Sequence, residues 1–169
     1  MPTIATIGVY GFTADAFIKT LEDAGVTLLI DVRQRRGVRG PIYVWANSQR
    51  LQALLAEAKI AYSHHRELAP TTELRHVQYR EDDLTGVGKR TRQVLAPEYA
   101  SRYTREILER ADLGPLIEEH PDGGLSALLC VETAAAACHR SLIAARLHDD
   151  HGFEVRHLQP AGATAPLED

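Results

Sequence analysis

The stretch from Cys130 to Ser141 (C-V-E-T-A-A-A-A-C-H-R-S) concentrates the side chains able to do covalent and acid–base work. It holds both cysteines of the chain, Cys130 and Cys138, with Glu132, His139, Arg140 and Ser141. A cysteine just ahead of a helix and beside a histidine and an arginine feels partial and full positive charge, and both favour the thiolate, its reactive form. Cys138 therefore reads as a nucleophile, or its neighbours Arg140 and Ser141 as anion contacts at a helix start. Glu132 reads as an acid or base, or as an ion partner of Arg140 or of an arginine in the loop after Asp31, and His139 as an orienting or proton-carrying group. Cys130, at the end of an apolar run, reads as a second reactive thiol or as a small buried side chain. Cys130, Cys138 and His139 also offer three metal-ligand types, with His64 and His65 as sources of a fourth. The spacing matches no standard zinc signature, so no metal is expected.

A second constellation follows the apolar run Val26–Val32. Asp31 is succeeded by four arginines within seven positions, Arg33, Arg35, Arg36 and Arg39, and then by Tyr43 and Trp45. Guanidinium groups hold phosphate or carboxylate through paired hydrogen bonds, and the two aromatic rings offer a stacking surface for a base. The alternative is a solvated loop with structural ion pairs.

The elements that must position these groups alternate in type. Ile4–Ile7 reads as a buried strand. A helix follows over 14–24, capped by Thr13 and closed by Gly25. Val26–Val32 (V-T-L-L-I-D-V) is almost continuously apolar, the pattern of a strand covered on both faces in a parallel sheet. The segment 33–45 reads as a loop, Asn47 as the cap of a helix over 48–58, and 60–64 as a third strand. Residues 66–96 are polar and irregular, carry a basic cluster, Lys89, Arg90 and Arg92, and are expected to include a long surface loop, with no regular element assigned. Pro97 opens a helix to about Ala111, with a shorter helical piece reaching Glu119. Leu125–Val131 reads as a strand, 139–149 as a helix ended by Gly152, and 153–158 as a last strand.

This alternation predicts an α/β fold of three layers, a mostly parallel sheet of about five strands with helices on both faces. It comprises one domain over 1–160 and a flexible tail over 161–169. Ligands bind such sheets beyond the carboxyl ends of the strands. Arg33, Arg36 and Arg140 are accordingly expected to converge on one concave site, and Cys138, at a loop-to-helix position, to bury little surface.

The 169 residues are 44% apolar and 25% charged, with a formal charge of −4. That composition builds a core without staples and gives no global nucleic-acid or membrane attraction, so an anion site has to be local. Two cysteines make no disulfide framework, and with neither a signal-like leader nor a spanning segment the expected compartment is the cytoplasm. Gly8-Val9-Tyr10-Gly11 lacks the third glycine of a dinucleotide fingerprint, so no cofactor is expected.

Over nearly its whole length the chain resembles the domain of unknown function 488 family. The likeness rests on T-I-G at 6–8, L-L-I-D-V-R at 28–33, the arginine-rich loop leading into a helix, and the segment 130–141. The family often carries Gly-His-Ser where this chain has Gly8-Val9-Tyr10, so any role of that histidine is absent or replaced here. The resemblance implies a compact α/β fold and a shared site without a settled reaction. A weaker likeness is to rhodanese-type sulfurtransferases, through Asp31-Val32-Arg33 and the cysteine-to-arginine loop from Cys130 to Arg140, which is longer than their catalytic loop.

The functional expectation is an enzyme acting on an anionic substrate, phosphorylated, nucleotide-like or nucleic acid. Asp31, Arg33, Arg36, Arg39, Tyr43, Trp45, Arg140 and Ser141 would bind it, and Cys138, Cys130, Glu132 and His139 would act on it. The alternatives are a non-catalytic phosphate or nucleic-acid binding module and rhodanese-like sulfur transfer.

Overall fold

The computed structural model describes residues 2–160. Among them, five strands form one wholly parallel sheet: β1 (Thr3–Ile7), β2 (Val26–Asp31), β3 (Ala61–His64), β4 (Leu125–Leu129) and β5 (Glu154–His157), in the order β3-β2-β4-β1-β5. The expected tail over 161–169 lies outside the described residues. The helices α1 (Ala14–Ala24) and α2 (Ser48–Glu57) make the connections from β1 to β2 and from β2 to β3. Return toward the other edge runs through α3 (Thr72–Thr85), α4 (Pro97–Glu106) and α5 (Gly114–Glu119) into β4, and through α6 (Arg140–His151) into β5.

Right-handed crossovers that move in opposite directions along a sheet must cover opposite faces. The core divides accordingly. Phe17, Leu21, Leu51 and Leu55 pack with Ala5, Ile7, Leu29, Ala127 and Leu129 on one face. Leu74, Tyr99, Tyr103, Leu116, Ile143 and Leu147 pack with Ile4, Leu28, Ile30 and Leu128 on the other. Alternation along each strand divides its side chains between the two layers, which is why these strands read as unbroken apolar runs. β1 and β2, whose following helices cover one face, flank β4, whose following helix covers the other. Chain leaves the sheet in opposite directions there and opens a crevice beyond the end of β4.

Local signals set several boundaries. The Thr13 hydroxyl accepts from Ala16 N–H at 3.1 Å, and Gly25 closes α1 at φ 82°, as the sequence predicts. Asn47 precedes α2, but its Oδ1 accepts from Val38 N–H at 2.7 Å instead of capping the helix, so it ties down the arginine-rich loop. That loop is not wholly irregular, since Pro41–Ala46 forms 3-10 turns.

The segment 66–96 differs most from expectation. It contains α3, fourteen residues capped by the Thr71 hydroxyl on Leu74 N–H. Its buried stripe, Leu74, Val77, Gln78 and Asp82, is half polar, so the apolar period that signals a helix is missing from the sequence.

At the outer strand, His65 lies between Glu67 (Nδ1 to Oε2, 2.8 Å) and Glu119 (Nε2 to Oε1, 3.1 Å). Burial disfavours the charged ring, but the two carboxylates outweigh it and raise the histidine above its ordinary value. Its stabilising contribution is full below about pH 6.5 and is lost as the pH climbs through the higher native value. The stability difference between wild type and His65→Ala in urea unfolding should be larger near about pH 5.5 than near about pH 8.5. Equal differences at the two pH values would remove the ion pairs as its source.

Candidate functional site

The turn between β4 and α6 carries Cys130, Glu132, Cys138 and His139, and three contacts hold its backbone. Val9 and Tyr10 both donate their N–H groups to the Val131 carbonyl at 3.0 Å. Arg140 donates from one terminal nitrogen to the Glu132 carbonyl at 2.8 Å and from the other to the Thr133 carbonyl at 3.3 Å. Gly8 lies against the same turn so closely that a Cβ there would meet the Glu132 carbonyl oxygen at 1.9 Å. Arg140 thus shapes the site from within. It is fully buried and does not line the cavity, contrary to the expectation that it faces a ligand. Ser141 likewise donates to the Cys138 carbonyl at 2.8 Å, at the helix start.

Cys130, Cys138 and His139 meet at this turn, with ligand-type atoms all within 4.8 Å of one another. The His139 ring is anchored by Nε2, 2.8 Å from the Val32 carbonyl oxygen, and packs against Tyr103. A carbonyl only accepts, so Nε2 carries the proton and Nδ1 faces the sulfurs, 3.8 Å from Cys130 Sγ and 3.7 Å from Cys138 Sγ. Cys138 is 1% exposed and Cys130 6%. Cys138 is therefore not the little-buried position expected from a loop-to-helix junction, because the turn packs it into the same core cluster as Cys130 and Val131.

Glu132 joins the cluster from the side. Its Oε2 accepts from Arg92 at 2.8 Å, and its Oε1 is 3.7 Å from Cys130 Sγ. Arg92 is itself held by Asp82 and by the Ala137 carbonyl, and Gln78 donates to Asp82 at 2.8 Å. Sequence reasoning missed this relay from α3. Its one legible trace is Gln78 and Asp82 at i and i+4 in a segment too polar to read as helix.

Burial and charge then separate the titrations. Burial resists ionisation of Cys138, but the neighbouring Cys130 thiol, His139 and Arg140 outweigh it and hold the group well below the ordinary thiol range. Cys130 moves the other way, pushed well up by its contact with Cys138 and by burial. Burial, and then the charge on Cys138, push the Glu132 carboxyl up to about 7 against the pull of Arg92. His139 rises because the Cys138 thiolate, the Val32 carbonyl and Glu132 together outweigh its burial. The site thus favours the ionised form of Cys138 and the charged form of His139, and disfavours ionisation of Cys130 and Glu132.

Residues 13–147 match the model of the family described as Domain of unknown function DUF488. The chain belongs to this family. No curated protein and no solved structure matched it, and the likeness to rhodanese-type enzymes finds no support in these comparisons.

Cys130, Glu132, Cys138 and His139 of this DUF488 chain form the buried floor of a cavity of about 790 Å³. Its mouth carries exposed Arg35, Arg39 and Arg90 with half-buried Arg75 and Lys89. Among the described residues none of these five cations pairs with a carboxylate. Glu132 is the only acid among the lining residues.

The arginine-rich loop therefore divides. Arg33 borders the cavity, but it is clamped to Asp31 (Nε to Oδ1, 2.9 Å; a terminal nitrogen to Oδ2, 2.8 Å) and to the Ala46 carbonyl. Tyr62 donates to Asp31 at 2.6 Å, and Arg36 donates to the Tyr62 hydroxyl at 3.2 Å, outside the cavity lining. The expected convergence of Arg33, Arg36 and Arg140 thus reduces to Arg33, and Arg39 is the arginine of this loop predicted for binding that has no such partner. Tyr43 packs at 59° against Tyr10, centroids 5.3 Å apart, with the Arg90 guanidinium over both rings, and Trp45 packs on Phe17 in the core. The rings are thus engaged within the protein, and neither Tyr43 nor Trp45 lines the cavity. No helix among the described residues is long and apolar enough to cross a membrane.

Gly8→Ala should lose about 1–3 kcal/mol or more in urea unfolding, because the clash is with backbone and cannot be relieved by a rotamer change. Wild-type stability in that variant would mean that the close approach to Glu132 is not required. Cys130→Ala and Cys138→Ala should each lose on the order of 1 kcal/mol, both sulfurs being buried. An unaffected melting temperature in Cys138→Ala would place its thiol at the surface after all.

Proposed function

We propose that this chain is an enzyme acting on an anionic, phosphate-bearing substrate of the nucleotide or nucleic-acid class. The observation that carries this reading is the composition of one cavity. Five cations without carboxylate partners stand at its mouth, and a Cys–His–Glu group lies on its floor. Cations left unpaired in a protein of net charge −4 concentrate positive potential at one opening, which attracts anions. A volume of about 790 Å³ suits a nucleotide-sized ligand.

In this reading Arg35, Arg39, Arg75, Lys89 and Arg90 hold phosphate oxygens, and Tyr10 and Tyr79 present ring surface beside them. Cys138 attacks or stabilises the reacting atom, His139 keeps it ionised and oriented, and Glu132 exchanges a proton. Arg33 and Arg140 are positioning residues, each holding backbone that shapes the floor.

Two measurements test this reading. Arg39→Ala and Arg90→Ala should each weaken binding of a single-stranded oligonucleotide and lower the slope of log affinity against log salt by about 0.7. Iodoacetamide should modify Cys138 ahead of Cys130 in metal-free native protein, as read by mass spectrometry, and Cys138→Ala should lose that reaction while still binding the oligonucleotide. Two unreactive cysteines with intact oligonucleotide binding would favour the non-catalytic binding module instead.

A further inference from the structure

The cavity floor has a second capacity, set by where its ligand atoms stand. Cys130, Cys138 and His139 each offer one metal-ligating atom, all within 4.8 Å of one another and all on side chains that line the cavity. In a tetrahedral zinc site the metal–sulfur and metal–nitrogen bonds, about 2.3 Å and 2.0 Å, place neighbouring sulfur and nitrogen ligands roughly 3.6 Å apart. The Nδ1 of His139 is already 3.7 Å from one sulfur and 3.8 Å from the other. Closing these edges around an ion takes a contraction of roughly 0.2 Å, within the tolerance of a real site.

The histidine is also oriented as a ligand must be. Its Nε2 is committed to the Val32 carbonyl at 2.8 Å, which selects the tautomer whose Nδ1 lone pair points at the sulfurs. A metal-bound histidine characteristically has such an outer hydrogen bond, which fixes the ring and raises its basicity. Tyr103 packs on the ring and limits its rotation. Neither His64 nor His65 completes the set: His64 Nε2 contacts the Arg33 carbonyl oxygen at 3.0 Å, and His65 is held by Glu67 and Glu119. Glu132 is not part of the cluster of mutually close ligand atoms, and its Oε2 is taken by Arg92.

We propose that Cys130, Cys138 and His139 bind one thiophilic divalent cation of the zinc class, with the fourth coordination position open to the cavity. Three protein ligands and an open position distinguish a site able to bind water or substrate from a closed structural one. Two thiolates would neutralise the ion's charge. Glu132 lies beside this ligand set, with Oε1 3.7 Å from Cys130 Sγ. The proposal goes beyond the anion-substrate reading and does not depend on it.

Titration of the chelator-treated full chain with Co²⁺ provides the test. One equivalent should give thiolate-to-cobalt charge-transfer absorption in the near ultraviolet and the intense visible bands of a tetrahedral ion, and Zn²⁺ should displace both. Cys130→Ser, Cys138→Ser and His139→Asn should each lose tight binding, with far-ultraviolet circular dichroism reporting whether the variant is folded. A measurement on the unaltered chain keeps the result decisive if a variant fails to fold. Zn²⁺ should protect both cysteines from iodoacetamide, and a chelator should restore their reactivity. A cobalt spectrum without thiolate bands, or alkylation indifferent to Zn²⁺, overturns the metal site, as does a Cys130–Cys138 disulfide forming in its place. Oligonucleotide binding and Cys138 alkylation are measured without metal, so the anion-substrate reading stands or falls separately.

Discussion

The turn after β4 depends on two successive carbonyl groups. Glu132 O accepts from the buried Arg140, and the adjacent Val131 O accepts from two successive N–H groups of the β1 loop, with Gly8 pressed against the turn where no side chain fits. Bringing backbone this close to backbone commits the chain between Cys130 and Cys138 to one path. The short 3-10 turn Ala135–Ala137 then brings Cys138 back toward Cys130, where both sulfurs face the same imidazole nitrogen. The Arg140 guanidinium brings a buried charge with no carboxylate partner among the described residues, and its Nε lacks any hydrogen-bond partner. An uncompensated cation in a dry interior is costly, and an anion nearby offsets that cost. Arg140 accordingly favours the ionised form of Cys138.

Charge on the floor is therefore a shared quantity. Arg92 faces both Asp82 and Glu132, Arg140 and His139 favour a negative sulfur, and each carboxyl or thiol that ionises raises the cost for the next. Cys130 is pushed up by its contact with Cys138 and by burial, and Glu132 by burial and then by the charge on Cys138. A divalent cation would relieve this competition by taking both thiolates at once. The two capacities argued for the floor, nucleophile and metal ligand, thus draw on one electrostatic arrangement.

The mouth is built on different terms. Its cations come from the arginine-rich loop, from α3 and from the segment between α3 and α4, three stretches remote in sequence. Asp31 neutralises Arg33 beside them, and Tyr62 diverts Arg36. What remains unpaired is decided by which side chains the fold supplies with partners, and Arg35, Arg39 and Arg90 are left facing solvent.

The sequence by itself determined the parallel sheet and, outside 66–96, the order of its elements. Apolar runs such as 28–30 and 125–129 are buried on both faces, Thr13 and Gly25 terminate a helix by local hydrogen bonding and φ preference, and a crevice must open beyond β4 once the crossovers are right-handed. Those are properties of neighbouring residues and of chain handedness. Tertiary structure alone decided which polar groups meet. Asp82 and Gln78 support Arg92 only because a polar helix packs beside the turn, Arg140 turns inward to backbone carbonyls, and Trp45 enters the core instead of stacking on a ligand. Pairing between residues tens of positions apart depends on side-chain geometry and burial, and neither leaves a periodic trace in the chain.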